Sequence, residues 1–330
     1  MSTKRLEQAA QATKTAFVFP GQGSQKVGML AELAEQFSVV RDTFAEASAA
    51  LGFDLWQIAQ SGEGLDQTEN TQPVLLTASI ALWRVWLELG GIAPKYLAGH
   101  SLGEYSALVA AEAMTLADAV KLVHLRGKLM QSAVPQGTGA MAAILGLADE
   151  KVIEICQKAN ASAAGQGSVE AANYNAQGQV VIAGSTALVQ QVMAEAKEQS
   201  GKAIALPVSV PSHCTLMKPA AEKFAEALEQ TAIELPHLPV IQNVNAEIAT
   251  DVAQLRQALT AQLYQSVQWT RTMQYLQDEG VQYVVECGPG TVLSNLAKRL
   301  PNIEKAFAID SKARMEDALN AVLVAEGKIA

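Results

Sequence analysis

Cysteine is scarce: the chain carries Cys156, Cys214 and Cys287 and no other. They are widely spaced and odd in number, so neither a disulfide framework nor a CxxC-type metal site follows from them. A reduced, cytoplasmic setting is expected, and no metal site. Long hydrophobic runs are also missing: the longest, Val74 to Trp83, is too short to span a bilayer and is followed by Arg84 and Glu88. Met1 to Lys14 is polar, without the apolar centre of a signal peptide. We read residues 1–14 as an extension outside the fold. Positive charge is in deficit, 24 Lys and Arg against 33 Asp and Glu, for a net charge of −9. That excludes a general nucleic-acid binder and leaves any anionic partner dependent on a local basic patch. Histidine is limited to His100, His124, His213 and His237, which restricts the choice of a general base.

Apolar residues are plentiful, at 49 % against 17 % charged, in a chain of 330 residues. A large core is therefore available, enough for two domains or for one large domain with an insertion. The most informative stretch is Tyr96 to Ala111, where an apolar lead-in enters Gly99-His100-Ser101-Leu102-Gly103 and leaves as an Ala/Leu-rich helix. Strand, sharp turn and helix around G-x-S-x-G are the setting of a nucleophile elbow. Gly99 and Gly103 stand where a Cβ would obstruct the turn, and Ser101 would sit at its tip at the positive end of a helix. The competing reading is a glycine-flanked turn with an N-capping serine.

Elsewhere, Thr15-Ala16-Phe17-Val18-Phe19 reads as a buried strand stopped by Pro20, before Gly21-Gln22-Gly23-Ser24-Gln25. That loop lacks the Lys-Ser/Thr ending of a phosphate loop. Asn70-Thr71-Gln72-Pro73 is expected to open a long helix through Trp86, with Pro73 in its first turn. Thr115-Leu116-Ala117-Asp118 resembles a capping box for a helix to Ser132. From 137 to 208 the pattern becomes strand (140–145), helix (149–159), two strands (169–183), helix (187–199) and strand (203–208). That β-α-β-β-α-β order is the split motif of ferredoxin-like folds. Outside it, 15–136 and 209–330 alternate strands and helices, among them helices at 251–264 and to Thr231, which implies a mainly parallel sheet. The expected fold is α/β: an α/β-hydrolase-like body with an inserted ferredoxin-like subdomain. Nucleophile elbows lie at the carboxyl edge of such sheets.

Ser101 requires a base. His100 adjoins it and points away in a tight elbow, His124 lies within a helix, and His237 stands between two prolines. By elimination His213, at the corner after Val208-Ser209-Val210-Pro211-Ser212, is favoured. No carboxylate stands out to orient it: Asp118 is accounted for as a cap and Asp149 as a helix-start residue. A backbone carbonyl or an amide could take that role. Arg126 could be a fork aimed at a carboxylate, but from the residues alone the reading as a surface arginine among lysines is preferred.

Taken together, Phe17-Val18-Phe19-Pro20-Gly21-Gln22-Gly23-Ser24-Gln25, Gly99-His100-Ser101-Leu102-Gly103-Glu104-Tyr105, Arg126-Gly127 with Met130-Gln131, and Pro211-Ser212-His213 resemble the malonyl-CoA:acyl carrier protein transacylase family of dissociated fatty acid synthesis. Val267-Gln268-Trp269 and Gly288-Pro289-Gly290 are similar to that family as well. The resemblance runs from about Thr15 to the C-terminus. It implies that Ser101 accepts the acyl group, that His213 is its base, and that the main-chain carbonyl of Gln268 orients His213. It further implies an oxyanion hole from the amides of Gln22 and Leu102, a pairing of Arg126 with the malonyl carboxylate, and a pocket lined by Gln72 and His100. Malonyl-CoA and acyl carrier protein are the implied partners. Coenzyme A thioester and phosphopantetheine are substrates, and no cofactor is expected. The chain is expected to act as a monomer. An acidic carrier protein would require a basic surface, drawn from Lys121, Lys128, Lys218, Lys223, Lys298 and Arg299. A plain esterase or thioesterase, a carrier-protein-binding scaffold and a polyketide-pathway acyltransferase are the alternatives.

Overall fold

Every residue of Thr15–Phe19 (β1) is buried, as a strand covered by helices on both faces must be. The computed structural model describes residues 13–208 and 210–329, so residues 1–12 of the expected extension lie outside the described residues. Lys14 already belongs to the body, with its amide donating to a Glu326 carboxylate oxygen at 2.7 Å. β1 is the middle strand of a five-stranded sheet ordered β7-β2-β1-β8-β9. Its partners are Tyr96–Gly99 (β2), Val240–Ile241 (β7), Tyr283–Glu286 (β8) and Lys305–Ala308 (β9). All four pairings are parallel. Alternation along β1 divides two cores: Phe17 and Phe19 pack on one face with Trp83 and Trp86, and Ala16 and Val18 on the other with Trp269 and Met273. Phe17 meets the two tryptophans edge-on at 5.3 and 5.0 Å between ring centres, a preferred aromatic geometry.

The insertion forms a second, antiparallel sheet from Gly139–Leu145 (β3), Val169–Ala176 (β4), Gln179–Ser185 (β5) and Lys202–Ala205 (β6), ordered β4-β5-β3-β6. Helices Asp149–Ser162 and Thr186–Glu198 cover one of its faces. The other face, through Met141, Ala172, Val181 and Ala183, packs against Cys214 of the body. The chain is thus an α/β fold with a parallel sheet and a smaller antiparallel one. β6 ends at Ala205, short of the expected Val208, because the chain turns there, the Val208 amide donating back to Leu206 O at 2.8 Å. Among the described residues no helix is long and apolar enough to cross a membrane.

The long helix corrects one expectation. It begins at Thr68 and ends at Glu88, which places Pro73 inside it and not in its first turn. Proline has no N–H to give the carbonyl four residues before it, and that carbonyl belongs to Glu69. His124 supplies the missing donor, its Nδ1 lying 2.8 Å from Glu69 O. His124 therefore replaces a helix hydrogen bond across the contact between two helices. His124→Ala is expected to destabilise the fold by about 0.5–1.5 kcal/mol, the net worth of one hydrogen bond at a half-buried site, with little change in turnover. Equilibrium denaturation alongside initial rates checks this. A full loss of activity at unchanged stability would contradict it.

Candidate active site

The elbow forms as the glycines dictate. A Cβ on Gly99 would lie 1.9 Å from the Gly103 carbonyl carbon, and one on Gly103 would lie 2.0 Å from Phe19 O. Two glycines thus let helix Gly103–Ala110 start against the carboxyl ends of β1 and β2. Between them Ser101 takes φ 52, and His213 takes φ 63. Left-handed backbone at a non-glycine residue is costly and clusters at functional sites. Ser101 Oγ stands 2.8 Å from His213 Nε2, the contact a nucleophile and its base require.

His213 is 3 % exposed. Its amide donates to Leu263 O at 3.0 Å, and its Nδ1 lies 2.7 Å from Gln262 O. A carbonyl can only accept, so the imidazole proton sits on Nδ1 and Nε2 is left to accept from Ser101. The orienting carbonyl is therefore that of Gln262 and not of Gln268. The physical reason is where the helix ends. Helix Val252–Ala261 stops short of the expected Tyr264, which frees the Gln262 carbonyl from intrahelical pairing. The Gln268 amide instead donates to Asn243 O at 2.8 Å, and the residue stands just before helix Trp269–Asp278.

Burial, with the Arg126 cation adding to it, pushes the His213 pKa down to about 3, and the Gln262 carbonyl opposes the shift only in part. The sign is simple: protonation removes the base, so a depressed pKa moves the acid limb of the rate profile downward. Acylation rate should stay level from pH 7.5 to below pH 6 in stopped-flow with malonyl-CoA. A limb at the ordinary histidine pKa near 6.5 would contradict this environment.

Arg126, on helix Leu116–Ser132, is 1 % exposed. Gly127 lets that helix come close: a Cβ there would lie 2.6 Å from Glu69 Cα on the neighbouring helix. The close crossing brings Arg126 NH1 to Gln72 Oε1 at 2.9 Å. NH2 donates to Gln262 Oε1 at 2.9 Å and approaches Ser101 Oγ at 3.3 Å. Nε has no partner among the described residues, and no carboxylate pairs with the guanidinium there. Burial alone lowers the Arg126 pKa. The cation is held by amide oxygens and reaches Ser101 Oγ, and a planar guanidinium so placed can take a carboxylate in two parallel hydrogen bonds.

Gln22 and Leu102 each stand three residues past the end of their strand, β1 and β2, and their amides have no hydrogen-bond acceptor among the described residues. His100 turns away from the base: its Nε2 lies 2.8 Å from Asn175 Oδ1 on β4, and its ring packs on Trp269. Burial lowers its pKa. A cleft of about 320 Å³ connects these groups, with Ser101, Gln72 and Arg126 on the body side and Met141, Asn175 and Val181 on the side of the antiparallel sheet. Gln262, Asn243 and Asn175 were not singled out from sequence; scattered neutral amides carry no motif, and only the helix end at Ala261 marks Gln262.

The acyl transferase domain model matches residues 16–315. A malonyl CoA-acyl carrier protein transacylase of Salmonella typhimurium is 52 % identical over 310 residues, covering 93 % of this chain and 99 % of its own. The chain belongs to this acyltransferase family. A transacylase of the same name from Bacillus subtilis is 44 % identical over 310 residues, covering 93 % of this chain and 96 % of its own. Crystallographic FabD from Acinetobacter baumannii superposes with TM-score 0.93 at 88 % identity, covering 95 % of this chain and 99 % of that one. A malonyl-transacylase solved in complex with a type II PKS acyl-carrier protein gives TM-score 0.90 at 49 % identity, over 93 % of this chain and 99 % of that one. Each match spans both sheets, so the transacylase family likeness covers the whole site and not the elbow alone.

Proposed function

We propose that this chain moves the malonyl group from malonyl-CoA to the phosphopantetheine thiol of acyl carrier protein, supplying extender units for fatty acid synthesis. Ser101 Oγ attacks the thioester carbonyl while His213 Nε2 takes its proton. The resulting oxyanion is met by the amides of Gln22 and Leu102. The intermediate collapses by breaking the C–S bond, His213 returns the proton to the leaving coenzyme A thiolate, and a malonyl-serine ester remains. The carrier-protein thiol then gives its proton to His213, attacks the ester, and Ser101 leaves with the proton back on Oγ. Gln262 O holds the imidazole throughout. No step needs a metal or cofactor.

One observation carries the substrate choice: a buried arginine without a carboxylate partner, 3.3 Å from the nucleophile. Malonyl brings the carboxylate, whereas acetyl would leave the charge unpaired. Gln72 holds Arg126 in place, and His100 with Asn175 fixes the opposite wall. The decisive assay offers malonyl-CoA together with holo acyl carrier protein. Malonyl should accumulate on the carrier protein, and release of free malonate as fast as transfer would overturn the reading in favour of a hydrolase.

The strand order of the antiparallel sheet supports reading residues 137–208 as a ferredoxin-like subdomain on an α/β-hydrolase-like body formed by 15–136 and 209–330. The proposed setting is the cytoplasm, with the chain as a monomer. For the carrier protein we favour the side of the cleft at helix Val292–Ala297. Val292 is 56 % exposed there, and exposed Lys298 and Arg299 follow directly. Lys121, Lys128, Lys218 and Lys223 lie on two other helices.

A further inference from the structure

Glu104 has no part in the chemistry above, yet it lies in the first turn of the elbow helix at 1 % exposure. An acid at a helix start is ordinarily a solvated partner of the helix dipole; this one is inside the protein. Burial raises its pKa to about 7, against the partly offsetting contacts of Gln262, Asn243 and Arg126. Its Oε2 accepts from Gln262 Nε2 at 2.7 Å and from the Asn243 amide at 3.2 Å. Its Oε1 has no partner among the described residues.

What those two residues hold gives the carboxyl its meaning. Asn243 Oδ1 accepts from the Ser101 amide at 2.7 Å, and its Nδ2 donates to Gly99 O at 2.6 Å. Gln262 Nε2 also donates to Ser101 O at 2.9 Å, and its Oε1 accepts from Arg126 NH2 at 2.9 Å. The Gln262 main chain holds His213. One carboxyl oxygen thus anchors the Gln262 side chain and the Asn243 main chain, and these two residues between them touch the main chain of the nucleophile, the base and the malonyl-facing cation. Without an acceptor at that point, the Gln262 amide keeps only its bonds to Ser101 O and Arg126 NH2, and the anchor it gives Arg126 is loosened.

We propose that Glu104 is a positioning residue that sets rate and malonyl selectivity through Gln262 and Asn243, as a double hydrogen-bond acceptor and not as a charge. The geometry permits this in either protonation state. A proton on the unpartnered Oε1 leaves both bonds to Oε2 intact, and so would a glutamine whose carbonyl occupies the Oε2 position. The proposal rests on the roles given to Ser101, His213 and Arg126.

The test measures kcat and KM for malonyl-CoA and for acetyl-CoA in Glu104→Ala, Glu104→Gln, Gln262→Ala and the double alanine variant, with thermal unfolding of each. Gln262→Ala keeps the main-chain carbonyl and deletes only the side chain. For Glu104→Ala we expect a loss of about 10- to 100-fold in kcat/KM for malonyl and a clearly smaller one for acetyl, as misplacing catalytic groups predicts. Glu104→Gln should return to within about 3-fold of the wild type, and the double variant should be no worse than the weaker single by more than about 2-fold, as members of one chain are non-additive. Equal losses for both acyl groups, additive losses, or a glutamine no better than alanine would overturn the proposal. If Glu104→Ala does not fold, Glu104→Gln and Gln262→Ala decide it alone. Ser101→Ala and Arg126→Ala run beside them: wild-type behaviour in those two would defeat the functional reading itself, independently of Glu104.

Discussion

Ser101→Ala mixed with malonyl-CoA should show no mass increase, where the wild type gains one malonyl group on the intact chain. Transfer to the carrier protein should fall by roughly 10⁴-fold or more, the scale on which removing a catalytic nucleophile acts. The loss should be one of chemistry and not of folding. Among the described residues Ser101 Oγ hydrogen-bonds only with His213 Nε2 and Arg126 NH2, whereas the turn is held by Asn243 on the Ser101 amide and by Gln262 on its carbonyl. An alanine can keep both main-chain bonds, though it bears the same left-handed backbone as the serine. Binding of malonyl-CoA should therefore survive in calorimetry. A mass adduct on the alanine variant would place the acyl group on another residue, and unchanged transfer would leave the protein as a scaffold.

Arg126→Ala is expected to separate the two acyl groups. Removing one partner of a buried, hydrogen-bonded charge pair costs about 2–5 kcal/mol, which corresponds to roughly 30- to 5,000-fold in kcat/KM for malonyl. Acetyl transfer should change far less, since acetyl never makes the pair. Arg126→Lys should recover only part of the loss, because an ammonium replaces the charge but not the fork held between Gln72 and Gln262. A second readout moves the other way. The Arg126 cation is, after burial, the next largest cause of the low His213 pKa. Its removal should lift the acid limb of the pH–rate profile toward neutral pH. Equal losses for malonyl and acetyl would refute the pairing, and an unmoved limb would deny the electrostatic contact with the base.

How much of this was legible in the chain follows from the range of the forces involved. The elbow was legible because its requirements are local: two glycines without Cβ atoms, a strand before and a helix after, within a few residues of each other. The parallel sheet and the inserted antiparallel one were legible because burial on one or both faces leaves a period in the sequence. His213 could be reached by elimination only because histidines are so few. Pro73 was misplaced because a proline inside a helix is tolerated when another group replaces the bond it cannot make, and that group, His124, is distant in sequence. The sequence does not distinguish Gln262 from Gln268 as the source of the orienting carbonyl, for a related reason. The orienting group is a carbonyl, which every residue possesses, so side-chain identity says nothing about it.

The sequence by itself determined the glycine-flanked elbow around Ser101 and the kinds of sheet, one mainly parallel and one antiparallel, since each depends on residues near one another along the chain. Only the tertiary structure decided which carbonyl holds the base, that Arg126 is buried and unpaired and not a surface charge, and that Glu104 reaches both through Gln262. Those properties depend on desolvation and on hydrogen bonds between residues up to 158 positions apart, and neither exists until helices, sheet and insertion have closed around one cleft.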